Sequence, residues 1–286
     1  MKSGFVAVAG RPNVGKSTLV NALSGAKVAI VSDKPQTTRQ RIFGIANGDD
    51  HQLVLADLPG FQRPRDALTE RMQRTVDSAF EDVEGILFVL SARERIGAGD
   101  RFIAGRVFSL GPPVVIALNK VDRLKPGHIA TQMQTASQLG DFHALHPVSA
   151  KTGDGIDELR DELVGLLPEG PRYFPVEQRT DLPLELQLGE LIREKALHLT
   201  REEVPHAISA EIEELTDKVV RATIFVETDS QKQIVVGRGG SVVREIGTRA
   251  RPEIEQLLGH PIFLELNVKT RPRWRRDQAM LERLGI

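Results

Sequence analysis

The stretch GRPNVGKST at residues 10–18 constrains this chain more than any other. It has the spacing G-x-x-x-x-G-K-[ST], follows the apolar run FVAVA and precedes STLVNAL, so it predicts a strand, a tight glycine loop and a helix in that order. Gly10 and Gly15 let the backbone wrap a phosphate chain with its N–H groups, and the N-terminus of the helix adds positive potential. Lys16 would reach the β- and γ-phosphates, and the Ser17 hydroxyl would bind Mg2+. Gly10, Arg11, Pro12, Asn13, Val14, Gly15, Lys16, Ser17 and Thr18 are the expected contacts. Alone, the loop specifies a nucleoside triphosphate without saying which.

Three later segments say which. LVLADLPG ends a hydrophobic strand in Asp57, placed to hold Mg2+ through water, and continues through Leu58 and Pro59 to Gly60, expected near the γ-phosphate. IALNKVD ends another strand in Asn119, Lys120 and Asp122, and the Asp122 carboxylate can accept both N1–H and the 2-amino hydrogens of guanine, a pair that adenine lacks. Ser149, Ala150 and Lys151 follow a third strand and can offer a backbone N–H to guanine O6. Four fragments in this order and spacing argue for GTP over ATP.

These residues resemble the translation-factor class of GTPases, and PQTTRQR at 35–41 narrows the likeness. The resemblance implies that Thr38, with Thr37 the alternative, completes the Mg2+ shell when GTP is bound. Lys16, Thr38, Gly60 and Asn13 are the expected catalytic set. Phe61 stands where Ras-like enzymes place a water-orienting glutamine, and it cannot orient water by a side-chain hydrogen bond, so slow unaided turnover is expected. Asn13 occupies a position that ligates a monovalent cation in similar GTPases; with Phe61 it motivates a K+-activation hypothesis.

Short β-rich runs alternate with helical patterns through residue 167, which predicts an α/β domain with a mostly parallel, doubly wound sheet. Residues 168–183 carry four prolines in sixteen positions and no apolar period, and are expected to be a linker. From 184 to 286 the order becomes α-β-β-α-α-β, an α+β domain with a C-terminal helix.

Net charge is −1, but its distribution is uneven. Residues 184–230 hold 5 basic and 11 acidic side chains, and residues 231–276 hold 10 basic and 4 acidic. The basic block suits a polyanion. It contains a second glycine loop, GRGGSVV, which lacks both the Lys-Ser pair and the third glycine of a dinucleotide loop. Set between two helices in an α-β-β-α-α-β domain, Gly237, Arg238, Gly239 and Gly240 read as the G-x-x-G loop of a KH domain, which clamps about four nucleotides. Lys232, Arg244 and Arg249 are the accompanying phosphate contacts, with bases expected over an apolar groove lined by 234–236 and the neighbouring strand. Trp274, flanked by Arg271, Arg273, Arg275 and Arg276, suits either base stacking or packing of the last helix. Arg193 and Lys195 are expected to be surface charges.

The whole chain from residue 4 onward resembles the Era family of bacterial ribosome-assembly GTPases, most specifically in GRPNVGKST, PQTTR, EGPRYFP, REEVPHA and the block GRGG…REIG. Leu58 departs from it, since the family usually has Thr there. The resemblance implies GTP hydrolysis and binding of the 3′ end of 16S rRNA on the small ribosomal subunit, favoured with GTP and lost after hydrolysis. A constitutive RNA chaperone with a structural nucleotide site is the alternative. The absence of Cys excludes disulfides, thiolate catalysis and Cys-ligated zinc. The apolar runs are strand-sized and the N-terminus lacks a signal-peptide core, so a cytoplasmic protein is expected. Peripheral association with the inner face of the membrane has no amphipathic anchor to support it, and no DNA partner is expected.

Overall fold

The computed structural model describes residues 1–34, 36–61 and 64–286. Its contacts divide the chain into two compact units that interleave in sequence: Met1–Ala29, Thr38–Arg63 and Met72–Asp181 form the first, and Ile30–Thr37, Pro64–Arg71 and Leu182–Ile286 the second.

The first unit is a six-stranded sheet. Its strands are β1 (Lys2–Ala9), β2 (Ile42–Asn47), β3 (His51–Asp57), β4 (Gly85–Ser91), β5 (Val114–Asn119) and β6 (Ala144–Pro147), in the spatial order β2-β3-β1-β4-β5-β6. All neighbours are parallel except β2 and β3. GILFVLS in β4 and VVIALN in β5 are buried at every position, because helices cover both faces of a parallel sheet and alternation is not needed. On one face pack α1 (Lys16–Ser24) and α5 (Ile156–Leu166). The other takes Val76 of α2 (Ala67–Ser78), α3 (Ala98–Val107) and Ala136 of α4 (Pro126–Ala136). The C-terminal ends of β1, β3 and β5 thus lie side by side around β4, the crevice where open α/β sheets bind ligands.

Residues 168–181 run along this sheet rather than away from it. The Ile45 N–H donates to the Arg179 carbonyl (2.8 Å) and the Phe43 N–H to Asp181 Oδ1 (2.8 Å), which occupies the outer edge of β2. Buried Gln52 accepts from the N–H groups of Tyr173 (2.7 Å) and Phe174 (2.9 Å). No strand was expected at 42–47; a glycine at its centre and its place at the edge hide the pattern.

The second unit is built on α6 (Leu184–Leu199), α7 (Val204–Ala207), β7 (Ser209–Leu215), β8 (Val219–Val226), α8 (Asp229–Val236), α9 (Ser241–Leu258), β9 (Phe263–Thr270) and α10 (Gln278–Arg283). β8 pairs antiparallel with β7 and parallel with β9, so the predicted α-β-β-α-α-β order holds, with the four-residue α7 inserted before β7. Leu188 and Ile192 of α6, Val235 of α8 and Ile246, Ala250 and Ile254 of α9 close over the sheet. α8 starts at a capping box: Thr228 Oγ1 accepts from Gln231 N–H (3.3 Å) and Gln231 Oε1 from Thr228 N–H (3.1 Å).

Two expectations are corrected here. Arg193 (1% exposed) and Lys195 (7%) are buried, not surface charges. Each has carboxylate partners: Glu190 accepts from Arg193 Nε (2.7 Å) and Nη2 (2.6 Å), and Lys195 Nζ donates to Glu194 (2.6 Å) and to Glu253 of α9. Part of the acidic excess of this segment therefore serves buried pairs, which must be complete to be tolerated. Trp274 resolves toward packing: it is fully buried, and its Nε1 donates to the Ala207 carbonyl (2.8 Å).

Among the described residues no helix is long and apolar enough to cross a membrane.

Candidate nucleotide site and nucleic-acid interface

In the first unit the residues of the glycine loop and its partner segments converge. Gly15 has φ +97°, and a Cβ there would run into the Asn119 amide. Asn119 Nδ2 donates to the Val14 carbonyl (3.0 Å), while its Oδ1 accepts from the N–H groups of Lys120 (2.8 Å) and Ala150 (3.0 Å). Asn119 is therefore a brace that ties three loops together. Lys120 Nζ donates to the Asn13 carbonyl, and Asn13 itself sits at φ +64°, a conformation asparagine tolerates better than most residues. Ser149 Oγ donates to Asp122 Oδ1 (3.0 Å), which fixes the carboxylate that the sequence assigns to guanine. Lys151 is exposed at the rim, and Thr18 lies in the first turn of α1.

Lys16 Nζ donates to the carbonyls of Gly10 (3.2 Å) and Arg11 (3.1 Å). Burial lowers its pKa to about 8, opposed by the Asp57 charge. The Arg11 side chain turns the other way, to Asp100 Oδ1 (2.7 Å) and Glu94 Oε2 (2.8 Å), so it anchors the loop to α3 instead of reaching for a phosphate. Sequence reasoning missed Asp100; its capping role, accepting from the Gly97 N–H (2.9 Å), was the available signal.

Three oxygens gather beside Lys16. Ser17 Oγ lies 2.9 Å from Thr38 Oγ1 and donates to Asp57 Oδ2 (2.6 Å), which also accepts from Thr38 (3.3 Å). Asp57 is fully buried, and its Oδ1 has no hydrogen-bond partner among the described residues. Desolvation holds its carboxyl above the usual carboxylate range, with Lys16, Ser17 and Thr38 pulling the other way. A buried carboxylate with one unpaired oxygen and two neighbouring hydroxyls is a hard-oxygen set that fits Mg2+, which keeps several waters and takes one or two protein carboxylates. Thr38, not Thr37, joins this set; the Thr37 hydroxyl donates to the Lys34 carbonyl (2.6 Å). Pro35 of the same motif lies outside the described residues.

Gly60 lies against Pro12, where a Cβ would approach the ring to 2.8 Å. Leu58 is buried and belongs to the core. The Phe61 ring stacks on Phe80 (6.1 Å between centroids) with the Arg106 guanidinium 5.5 Å away. It packs, and has no group with which to position water.

In the second unit, Gly237, Gly239 and Gly240 have φ of +73°, +60° and +79°. Around Gly239 and Gly240 no heavy atom lies within 4 Å of a built Cβ, so this loop presents bare backbone outward. Arg238 and Arg244 are exposed and Lys232 half-buried, and none of the three has an acidic partner among the described residues. Arg249 is paired with Glu245 (2.7 Å). The expected groove at 234–236 is corrected: Val235 is core, because the face of α8 that carries it turns inward. The groove of roughly 360 Å³ lies instead between α9 and β9. Val243, Gly247, Leu264 and Leu266 line it, Phe263 stands at its mouth, and Arg244 and Arg251 rim it.

Comparison with known proteins finds two families along the chain. Residues 5–120 match the family described as 50S ribosome-binding GTPase, and residues 203–275 match the KH domain. The structure resembles that of Era in complex with MgGDPNP and nucleotides 1506–1542 of 16S ribosomal RNA, at 38% identity and a TM-score of 0.95, covering 100% of this chain and 99% of that one. A variant of Aquifex aeolicus Era bound to GDP and aluminium fluoride is similar at 38% identity and a TM-score of 0.93, with the same coverage. With that identity maintained from end to end over both units, this chain belongs to the Era family of GTPases.

Proposed function

We propose that this chain is a GTP-hydrolysing switch that binds the 3′ end of 16S rRNA through its KH unit and assists assembly of the small ribosomal subunit in the cytoplasm. The observation that carries the reading is the presence, on one chain 38% identical to Era over full length, of both a Ser17–Thr38–Asp57 oxygen cluster and an arginine-rimmed KH groove. Its ligands are GTP and GDP with Mg2+, and rRNA.

Lys16 carries the positive charge for the β- and γ-phosphates, and Asp122, held by Ser149, selects guanine. Ser17, Thr38 and Asp57 hold Mg2+, which when bound neutralises charge on the phosphate oxygens. Gly60, close against Pro12, offers its backbone to the γ-phosphate. Lys232, Arg238 and Arg244 contact RNA phosphates, the glycine loop admits the backbone closely, and bases lie against Val243, Gly247, Leu264 and Leu266.

The deciding experiment measures affinity for a single-stranded copy of the 16S rRNA 3′ tail against a scrambled strand, at one fixed salt concentration, with a non-hydrolysable GTP analogue and with GDP. Selective binding that weakens with GDP is expected. Equal binding of both strands in both states would sink the ribosomal assignment, and selective binding indifferent to nucleotide would favour a constitutive chaperone. K+ activation is a finer part of the proposal, supported by Asn13 within the loop and by a Phe61 that cannot act on water. Equal hydrolysis rates in KCl and NaCl, with and without RNA, would remove it.

A further inference from the structure

The second unit contains Ile30–Thr37, the stretch just ahead of the Mg2+-set residue Thr38. Its main chain is held at three points by side chains of α6. The Val31 N–H donates to Glu194 Oε1 (2.8 Å), and His198 Nε2 donates to the Val31 carbonyl (2.9 Å). At the other end Arg193 Nη2 donates to the carbonyl of Thr37. Both ends of a seven-residue segment are thus fixed by main-chain contacts, which do not depend on its own side chains.

Arg193 is built for this task. It is 1% exposed, and Glu190 takes both Nε and Nη2 through its two oxygens, so the guanidinium plane is set before it meets Thr37. Nη1 is buried with no hydrogen-bond partner among the described residues, so Nε and Nη2 carry the hydrogen bonds that hold the group. Glu194 is set in the same way: its second oxygen accepts from Lys195 (2.6 Å), which also donates to Glu253 on the helix that walls the nucleic-acid groove.

We propose that Arg193 is a positioning residue for GTP hydrolysis: by fixing the Thr37 carbonyl it sets the peptide that places the Thr38 hydroxyl with Ser17 and Asp57. The Glu253–Lys195–Glu194 chain fixes the far end of the same segment to α9. The inference rests on the reading of Thr38 as a Mg2+ ligand. Its particular consequence is selectivity between nucleotides: contacts made through Thr38 matter for the triphosphate state, whereas GDP is gripped mainly by the glycine loop, Asn119 and Asp122.

The test uses the full chain and the variants Arg193→Gln, Arg193→Lys and Thr38→Ala. Affinities for Mg2+ with a non-hydrolysable GTP analogue and for GDP are measured beside kcat, KM and thermal unfolding. Arg193→Gln should lower kcat and analogue affinity each about tenfold while GDP affinity stays within about twofold. Arg193→Lys, which can pair with Glu190 or reach Thr37 but cannot fork between them, should fall between wild type and Gln. A role limited to folding would lower the unfolding temperature and both affinities together, and that result, or an unchanged affinity ratio and kcat, overturns the proposal. If Arg193→Gln does not fold, the ratio in Arg193→Lys decides by the same criterion. A low ratio in Thr38→Ala beside an unchanged one in the Arg193 variants overturns this inference alone; an unchanged ratio in Thr38→Ala removes the Mg2+-ligand reading and the inference with it.

Discussion

The two glycine loops of this chain solve opposite problems. In the first, glycines are required by the protein's own interior: Gly10 abuts the Val89 carbonyl and Gly15 the Asn119 amide, while Gly60 packs on the loop from outside, against the Pro12 ring. In the second, Gly239 and Gly240 take left-handed φ and face open space, so no neighbouring group of this chain requires them there. The first loop is a cradle shaped by packing. The second is a bare rail between two helices. A glycine therefore means different things at the two places, and substitutions should separate them.

Gly15→Ala should have the largest effect. It adds a methyl where Asn119 already stands and forces alanine to φ +97°, so nucleotide affinity should fall by about a hundredfold or more, read by titration with a fluorescent GDP derivative. Retained affinity would break the comparison at its stronger end. Gly239→Asp should lower the unfolding temperature only modestly, since φ +60° strains a side chain that open space still admits, and should leave nucleotide affinity intact, yet weaken RNA binding by about tenfold or more, because a carboxylate then meets the phosphate backbone.

The third expectation concerns pH and applies only to the first loop. Burial pulls the Lys16 pKa down to about 8; on the proposed reading the ammonium is the form that meets the phosphates, and their charge would raise that pKa. Binding therefore takes up a proton in that range: GTP affinity is full below about pH 8 and falls as pH rises through it, by at most about tenfold per unit. The part of RNA binding that Arg238 and Arg244 carry should not follow this curve. The smallest effect is that of Arg244→Ala, which should weaken RNA binding by a few fold across sequences and reduce the salt slope by about 1.

Much of the first loop and its partners was legible because their chemistry is local. A lysine, a serine and glycines in fixed spacing can serve few other purposes, and Asp57 and Asn119 each end an apolar strand whose C-terminus the sheet must place in the crevice, with Ser149 just beyond β6. The order of elements in the second unit was legible for a similar reason: 241–258 reads as one helix and is one. What stayed hidden depends on pairing over long separations. Arg193 and Lys195 read as surface charges because Glu190 and Glu194 beside them look like ordinary exposed helix pairs, while the partners that betray their burial, Thr37 and Glu253, lie far off in sequence. The groove was misplaced by one helix because a short apolar run such as 234–236 does not reveal which of its residues turns inward. The Arg11–Asp100 anchor joins positions 89 residues apart and left no mark beyond a common capping pattern.

The segment 168–181 has a consequence for anyone who cuts this chain. Its hydrogen bonds to Phe43 and Ile45 occupy the open side of the antiparallel edge strand. A fragment ending at residue 167 would expose a row of unpaired N–H and C=O groups next to Phe43, and such an edge recruits strands from other molecules. The fragment should therefore self-associate as its concentration rises, while one carried on to residue 181 keeps its own border closed.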